Sequence, residues 1–321
     1  FNTDPMKVSI SNIKDRSAAG NTIASGTSVD IRFISTPVDF PEGLVGYWDF
    51  NEGSGLVAND QSGNGYNGDL IGQVVFINDA DRGGVISLGG NDSYVMLNAI
   101  PELVDMTALT VSIWFNREVD DTSTPTNHNI DNVLLGHSAN ATNDDFELGT
   151  EGSNIQLYLD TTAQDGGNPS IDVDAGIVDN TWYHVAYTFD AADSNESKVY
   201  LNGSLINEYA AWGGAFDGDP ATPWTIGIAR PDGSLWGEFI GRMDDVAIWT
   251  IALTQDQISA FAASGATGLL TITQQPQSKT VAELKSVTFS AAAEGSDPVV
   301  IGYQWSKNGV PIPGAVSSSY T

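Results

Sequence analysis

Apolar and polar residues alternate with a period of two over much of this chain, the mark of strands with one buried face. Near the start, Lys7-Val8-Ser9-Ile10 and Ser28-Val29-Asp30-Ile31-Arg32-Phe33-Ile34 follow that pattern. Two or three such strands cannot bury a core unaided. Pro37 and Pro41 then punctuate a linker. The clearest alternation spans 109–115, where Val111, Ile113 and Phe115 share one face and Thr110, Ser112 and Trp114 the other. Asn202-Gly203 favours a type I′ hairpin turn. One stretch alone reads as helix, 254–263, with Thr254 placed to cap its start and Gly265 to stop its end. Thirty-four glycines and short β-branched or aromatic runs complete the signature of an all-β protein.

The 321 residues suffice for two domains of ordinary size, or one large sandwich with attachments. Forty-one acidic residues against twelve basic ones give a formal charge of −29. That balance repels nucleic acid and anionic membrane, and it favours solubility and cation binding. The chain has no cysteine, so disulfides and thiolate metal sites are excluded. No apolar run approaches the ~18 residues of a membrane helix, so no membrane insertion is expected. The first residue is Phe1 and no signal-type segment opens the chain, which reads as a mature or excised portion of something longer.

Two polar stretches about 180 residues apart carry the candidate metal chemistry. Asp60-Gln61-Ser62-Gly63-Asn64-Gly65 offers alternating oxygens on a tight loop, and in Gly241-Arg242-Met243-Asp244-Asp245-Val246-Ala247-Ile248-Trp249 an acidic pair leads an apolar alternation. Hard oxygen ligands of this kind suit Ca²⁺. The loop matches the first six positions of an EF-hand, but its twelfth is Ile71, so any closing carboxylate comes from elsewhere. The alternative is that Asp60, Ser62 and Asn64 make Asx turns and Asp244 is a solvated strand end.

Gly43-Leu44-Val45-Gly46-Tyr47-Trp48-Asp49-Phe50, the Asp60 loop, Val85-Ile86-Ser87-Leu88-Gly89-Gly90, Leu109-Thr110-Val111-Ser112-Ile113-Trp114-Phe115, Thr181-Trp182-Tyr183-His184-Val185-Ala186, Lys198-Val199-Tyr200-Leu201-Asn202-Gly203 and the closing stretch from Ile240 to Trp249 resemble, in order, the laminin-G-like family of concanavalin A-type folds. The resemblance implies an all-β fold, a two-layer antiparallel β-sandwich of the concanavalin A-like jelly-roll type, over 42–268. It also implies a structural calcium ion pinning the early turn to the closing strand, with Asp60, Ser62, Asn64 and Asp244 as ligands and Asp245 as an alternate.

After Gly268, Gly302-Tyr303-Gln304-Trp305 and the runs before it resemble the first strands of a bacterial immunoglobulin-like domain, with Trp305 as its core tryptophan. The segment 269–321 gives only part of such a sandwich, so something is expected to complete it. Strands from 1–41 have the right character, supplied by the same chain or by another copy through strand addition.

For sugar binding, Tyr94, Tyr158, Trp212, Trp224 and Trp236 could offer flat faces to a pyranose, flanked by polar loops 120–132 and 213–223. Each could equally be core filler. Catalysis finds no support: the Glu-x-Asp-x-x-Glu strand of the family's β-glucanase relatives is missing, Glu118-Val119-Asp120 failing at Ser123, His184 reads as a packed or hydrogen-bonded histidine of the central strand rather than a base, and His128 and His137, in loop-like surroundings, lack a metal-ligand spacing. The expected function is therefore a non-catalytic, extracellular or cell-surface, calcium-stabilised structural or adhesive module. Its partners would be other copies of itself or neighbouring β domains. The alternative is a carbohydrate-binding accessory module of a secreted polysaccharide-degrading enzyme, with glycans as partners.

Overall fold

The structure, a computed structural model, describes residues 6–10, 27–33, 40–90, 92–120, 130–140, 143–163, 170–210, 213–229, 237–264, 270–274, 276, 286–295, 301–307 and 310–321. The chain divides into two compact units, Phe40–Gly265 and a second that joins Phe1–Asp39 to Ala266–Thr321.

The large unit is a sandwich of two antiparallel sheets in a jelly roll. The front sheet runs Ser204–Tyr209, Ser197–Leu201, Trp182–Asp190, Ala108–Val119, Ile240–Trp249, Gly83–Gly89 and Val75–Asp79, with Leu44–Trp48 also paired to Ile240–Trp249. The back sheet runs Ser170–Asp174, Asn154–Leu159, Asn143–Glu151, Asn132–Asn140, Trp224–Ile226, Tyr94–Asn98, Gly68–Ile71 and Val57–Ala58.

Alternation decides what lies between the sheets. Leu109, Val111, Ile113 and Phe115 from the front meet Phe146, Leu148, Ile155, Leu157 and Leu159 from the back in one continuous core. The intervening residues point away from the core, as period two requires. Trp48, Trp224 and Tyr187 fill the largest gaps and are fully buried. The helix forms at Gln255–Ser264, and Thr254 and Gln257 cap each other: the Thr254 amide donates to Gln257 Oε1 at 2.8 Å, and the Gln257 amide to Thr254 Oγ1 at 3.4 Å. Gly265 lies outside the described residues.

Strand Ile240–Trp249 pairs with three other strands of the front sheet. Its first half, Ile240 to Met243, pairs with Gly83–Gly89, and its second half, Val246 to Trp249, with Leu44–Trp48. On its other side it runs along Ala108–Val119 with a bulge between Asp244 and Ala247. Asp245 takes a φ of +48° there, the left-handed conformation that a bulge residue requires. The acidic pair thus sits where the strand changes neighbour.

Glycine opens the outer surface of the back sheet to a covering strap. A Cβ on Gly136 would lie 2.5 Å from Ile228 O, and one on Gly149 would lie 2.4 Å from Asn132 O. The absence of those side chains lets residues 228–229 lie directly on the sheet and lets Ile130 and the adjacent strand at Asn132 pack closely against Gly149.

In the small unit, Thr27–Phe33 pairs antiparallel with Ile301–Lys307 along its whole length, Val29 opposite Trp305, while Met6–Ile10 pairs with the far side of Thr27–Phe33. The two ends of the chain therefore share one sheet. Trp305 is fully buried, its ring 6.4 Å from Phe289 and 6.1 Å from Tyr320, and its Nε1 donates to Ser317 O at 2.9 Å.

Candidate functional site

The five residues expected to hold calcium occupy two separate hydrogen-bonded groups. In the early turn, Asp60 Oδ1 accepts the amides of Tyr47 at 3.1 Å and Ser62 at 2.8 Å, and Oδ2 accepts those of Gly65 at 2.9 Å and Tyr66 at 3.0 Å. Ser62 Oγ donates to Val45 O at 3.1 Å, and Asn64 Nδ2 donates to Val45 O at 2.8 Å. These are the bonds of an Asx turn stapled to strand Leu44–Trp48.

The acidic pair faces a different cation. Arg82 Nε donates to Asp244 Oδ2 at 2.8 Å, and Arg82 Nη2 to Asp245 Oδ2 at 2.7 Å. The remaining oxygens are also engaged: Asp244 Oδ1 accepts the Asp245 amide at 2.9 Å, and Asp245 Oδ1 accepts the Tyr47 hydroxyl. All three ionic side chains are buried. The guanidinium also stacks 4.0 Å from the Trp114 ring centroid, with Trp182 at 5.4 Å on the same cation.

The five residues therefore do not fit calcium in this arrangement. Both Asp60 oxygens serve backbone amides, and all four oxygens of the pair serve Arg82, Tyr47 and the backbone. Among the described residues, no three His, Asp or Glu side chains are grouped to hold a metal ion. The turn and the closing strand are instead joined through Tyr47, whose amide bonds Asp60 and whose hydroxyl bonds Asp245.

Burial and the adjacent Asp245 carboxylate push the Asp244 pKa well above the usual carboxylate range, against the pull of Arg82. On the same outer face, His184 is fully buried with its Nε2 2.7 Å from Ser112 Oγ and its ring packed on Trp114. Burial, reinforced by the positive charge of Arg82, lowers its pKa to about 3.

The aromatics expected to bind sugar differ in burial. Trp224 is fully buried against Phe146, Phe216 and His137, and Tyr94 is only 7% exposed. Neither can offer a face to a ligand; both fill space. Trp212 and Trp236 lie outside the described residues, as do His128 and most of the 120–132 loop. Tyr158 is half-buried on the outer face of the back sheet, against Ile130, Val133 and Ala229.

Around Tyr158 the strand registers assemble a polar platform. Glu147 stands opposite Tyr158 on the neighbouring strand, and Ser138 Oγ donates to Glu147 Oε1 at 3.1 Å. Gln156 lies two residues along from Tyr158 and is 5% exposed. Its Nε2 donates to Glu151 Oε2 at 2.7 Å, while its Oε1 is buried without a partner. Glu147 and Gln156 were not anticipated from the sequence, although Asp145-Phe146-Glu147-Leu148 alternates plainly enough to place a carboxylate on an outer face. Arg82 was missed because its partners lie more than 160 residues away.

Residues 89–259 match the family described as the concanavalin A-like lectin/glucanases superfamily, more than half of the chain. The chain belongs to this superfamily. No curated protein matches it in sequence. Among solved structures, the concanavalin A-like unit is similar to domain 4 of AbnA, an extracellular GH43 arabinanase from Geobacillus stearothermophilus, solved with arabinotriose: 19% identity, TM-score 0.50, covering 68% of this chain and 98% of that one. It is also similar to the binding domain of Paraclostridial Mosquitocidal Protein 1, at 18% identity and TM-score 0.53, covering 70% and 52%. The binding domain of botulinum neurotoxin DC in complex with SialylT matches at 13% identity and TM-score 0.52, covering 72% and 53%. The chain spans about half the length of the toxin domains. At these identities the likeness is one of fold.

Two measurements check the buried charges. Replacing Arg82 by Met strands two buried carboxylates and is expected to cost about 3–5 kcal/mol in urea unfolding, while chelator or added calcium leaves the wild-type melting temperature unchanged; a chelator-induced drop would restore the metal. His184 has a folded pKa below its unfolded value, so the stability it confers is present above about pH 6.5 and is lost as pH falls toward 3. Asp244, raised on folding, contributes with the opposite sign, its share lost as pH rises. Comparing wild type with His184→Gln cancels that term: from pH 7 to 5 the wild type should lose about 2 kcal/mol more than the variant.

Proposed function

We propose that the concanavalin A-like unit is a non-catalytic glycan-binding module of an extracellular protein, with its ligand on the outer face of the back sheet. The observation that carries this reading is the platform at Tyr158, where a half-buried aromatic ring stands beside Glu147 and an unpartnered Gln156 acceptor. An aromatic face with a few placed polar groups is how sites of this kind hold a sugar ring. AbnA domain 4, solved with arabinotriose, and the toxin binding domain, solved in complex with SialylT, offer support as relatives in fold.

Nothing on the platform calls for hydrolysis. Glu147 and Glu151 are four residues apart on an extended strand, about 13 Å, beyond the ~5–10 Å of glycosidase pairs. Asp145 is turned to His137 Nδ1 at 2.9 Å and to the Asp219 amide at 3.1 Å. No helix of the described residues is long and apolar enough to cross a membrane.

A second reading, adhesion between copies by strand exchange, is favoured by one feature. The sheet of the small unit takes Thr27–Phe33 and Ile301–Lys307 from opposite ends of the chain, a closure that the same strands can make between two copies. Light scattering decides it: exchange predicts dimers or longer chains that grow with concentration, and a constant 34.0 kDa mass would remove it.

For the glycan site, calorimetry with arabino-, xylo- and β-gluco-oligosaccharides should find at least one ligand. Tyr158→Ala should weaken it at least about tenfold, the equivalent of 1.4 kcal/mol, whereas Tyr158→Phe, which keeps the ring, should retain most of the affinity. None of these sugars should be cleaved. An unchanged affinity in Tyr158→Ala would move the site elsewhere.

A further inference from the structure

We infer that the Tyr158 platform takes the terminal residue of a glycan chain, or of a branch on one, and not a segment from the middle of a chain; the inference rests on the glycan-binding reading above. Its first support is a ridge that crosses the back sheet beside the ring. From the sheet edge inward, the outward row through Tyr158 runs Ser170, Tyr158, Glu147 and Gly136, and the next row runs Asp172, Gln156 and Gly149. Both rows are roofed at their glycines. Ala229 Cα stands 2.8 Å from where a Gly136 Cβ would lie, and Ile130 Cγ2 stands 2.5 Å from that of Gly149. The roof is bonded down: Thr225, opposite Gly136, donates its hydroxyl to Ile228 O at 2.7 Å, and the Val133 amide donates to Gly237 O at 2.8 Å. Tyr158 packs against the foot of this ridge, on Ile130, Val133 and Ala229. A glycan laid across the strands over the ring therefore runs into packed protein on its inward side.

The second support is the size of the ground on the other side. Between the ridge and the sheet edge lie Asn154–Leu159 and the edge strand Ser170–Asp174, about 5 Å apart. Toward the hairpin, the outward side chains are bonded to one another: Gln156 Nε2 donates to Glu151 Oε2 at 2.7 Å, Asn154 Nδ2 to Asp172 Oδ1 at 2.7 Å, and Ser153 Oγ to Asp174 Oδ1 at 3.1 Å. A glycan laid lengthwise would have to break those bonds. Ser170 and Asp172 are exposed, so the way out from the ring is over the edge of the sheet. One sugar ring stacked on Tyr158, with a hydroxyl donated to the unpartnered Gln156 Oε1, fills the place, and the rest of the chain leaves past Ser170.

Length and chain-end dependence test this. For whichever of the arabino-, xylo- and β-gluco-oligosaccharides binds, calorimetry should find affinities that change by less than about threefold from the trisaccharide to the hexasaccharide, because the added units touch nothing. On the matching polysaccharide, the amount of protein bound at saturation per gram should rise in proportion to the chain ends released by partial endo-hydrolysis. Tyr158→Ala should weaken this binding at least about tenfold. A larger rise in affinity with length, or a capacity unchanged by hydrolysis, overturns the inference and leaves the glycan-binding reading in place. End-dependent binding that survives Tyr158→Ala puts the terminus at another site and overturns it as well. If none of the oligosaccharides binds, the glycan-binding reading falls and takes this inference with it.

Discussion

The front sheet depends on a guanidinium held between two carboxylates. Strand Ile240–Trp249 must leave one neighbour and take up another halfway along, and the bulge at Asp244 and Asp245 is the device that does so. Burying two adjacent carboxylates there without compensation would cost several kcal/mol for each. Arg82, on the turn just before Gly83–Gly89, supplies the compensation from the first of those neighbours. Tyr47, on Leu44–Trp48, supplies a hydroxyl from the second. Each neighbour thus contributes one group to the same pair, and the three strands are locked at the point where the backbone ladder is interrupted.

Much of this architecture is legible in the sequence because it rests on local periodicity. The alternation at 109–115 separates core from outer face as the structure does, and Thr254 caps the helix it was expected to cap. The acidic pair and the Asp60 turn were also found as the two groups flanking the same junction. What the sequence could not convey is that Asp60 serves backbone amides and that Arg82 serves the pair. Calcium and arginine both satisfy a pair of carboxylates, and choosing between them requires knowing that Arg82 returns to within 3 Å across a separation of more than 160 residues. Trp224 illustrates the complementary limit: a tryptophan in a short run carries no local mark of whether its ring faces a ligand or the core, and burial among Phe146 and Phe216 decides it.

The two outer faces treat charge differently. On the front sheet, acids are matched by arginines that stack on Trp114 and Trp182, and the surface is closed by packing. On the back sheet, Asp145 is held by His137 Nδ1 and the Asp219 amide and Glu147 accepts the Ser138 hydroxyl, while glycine at 136 makes room for residues 228–229 to lie on the sheet. A chain with twelve basic residues cannot neutralise forty-one acids everywhere. Those it has in the large unit are placed largely where burial would otherwise be prohibitive.

That allocation bears on how a binding surface arises on a fold that serves many ligands. Fold membership does not choose the ligand, because the sandwich is specified by inward-facing residues that no ligand touches. The outward-facing set varies freely under the same core. At the Tyr158 platform that set comprises an aromatic ring, the Glu147 carboxylate opposite it and the buried amide oxygen of Gln156. A donor brought to that oxygen would relieve a buried acceptor without touching the core, so recognition and stability are written in separate sets of residues on the same strands.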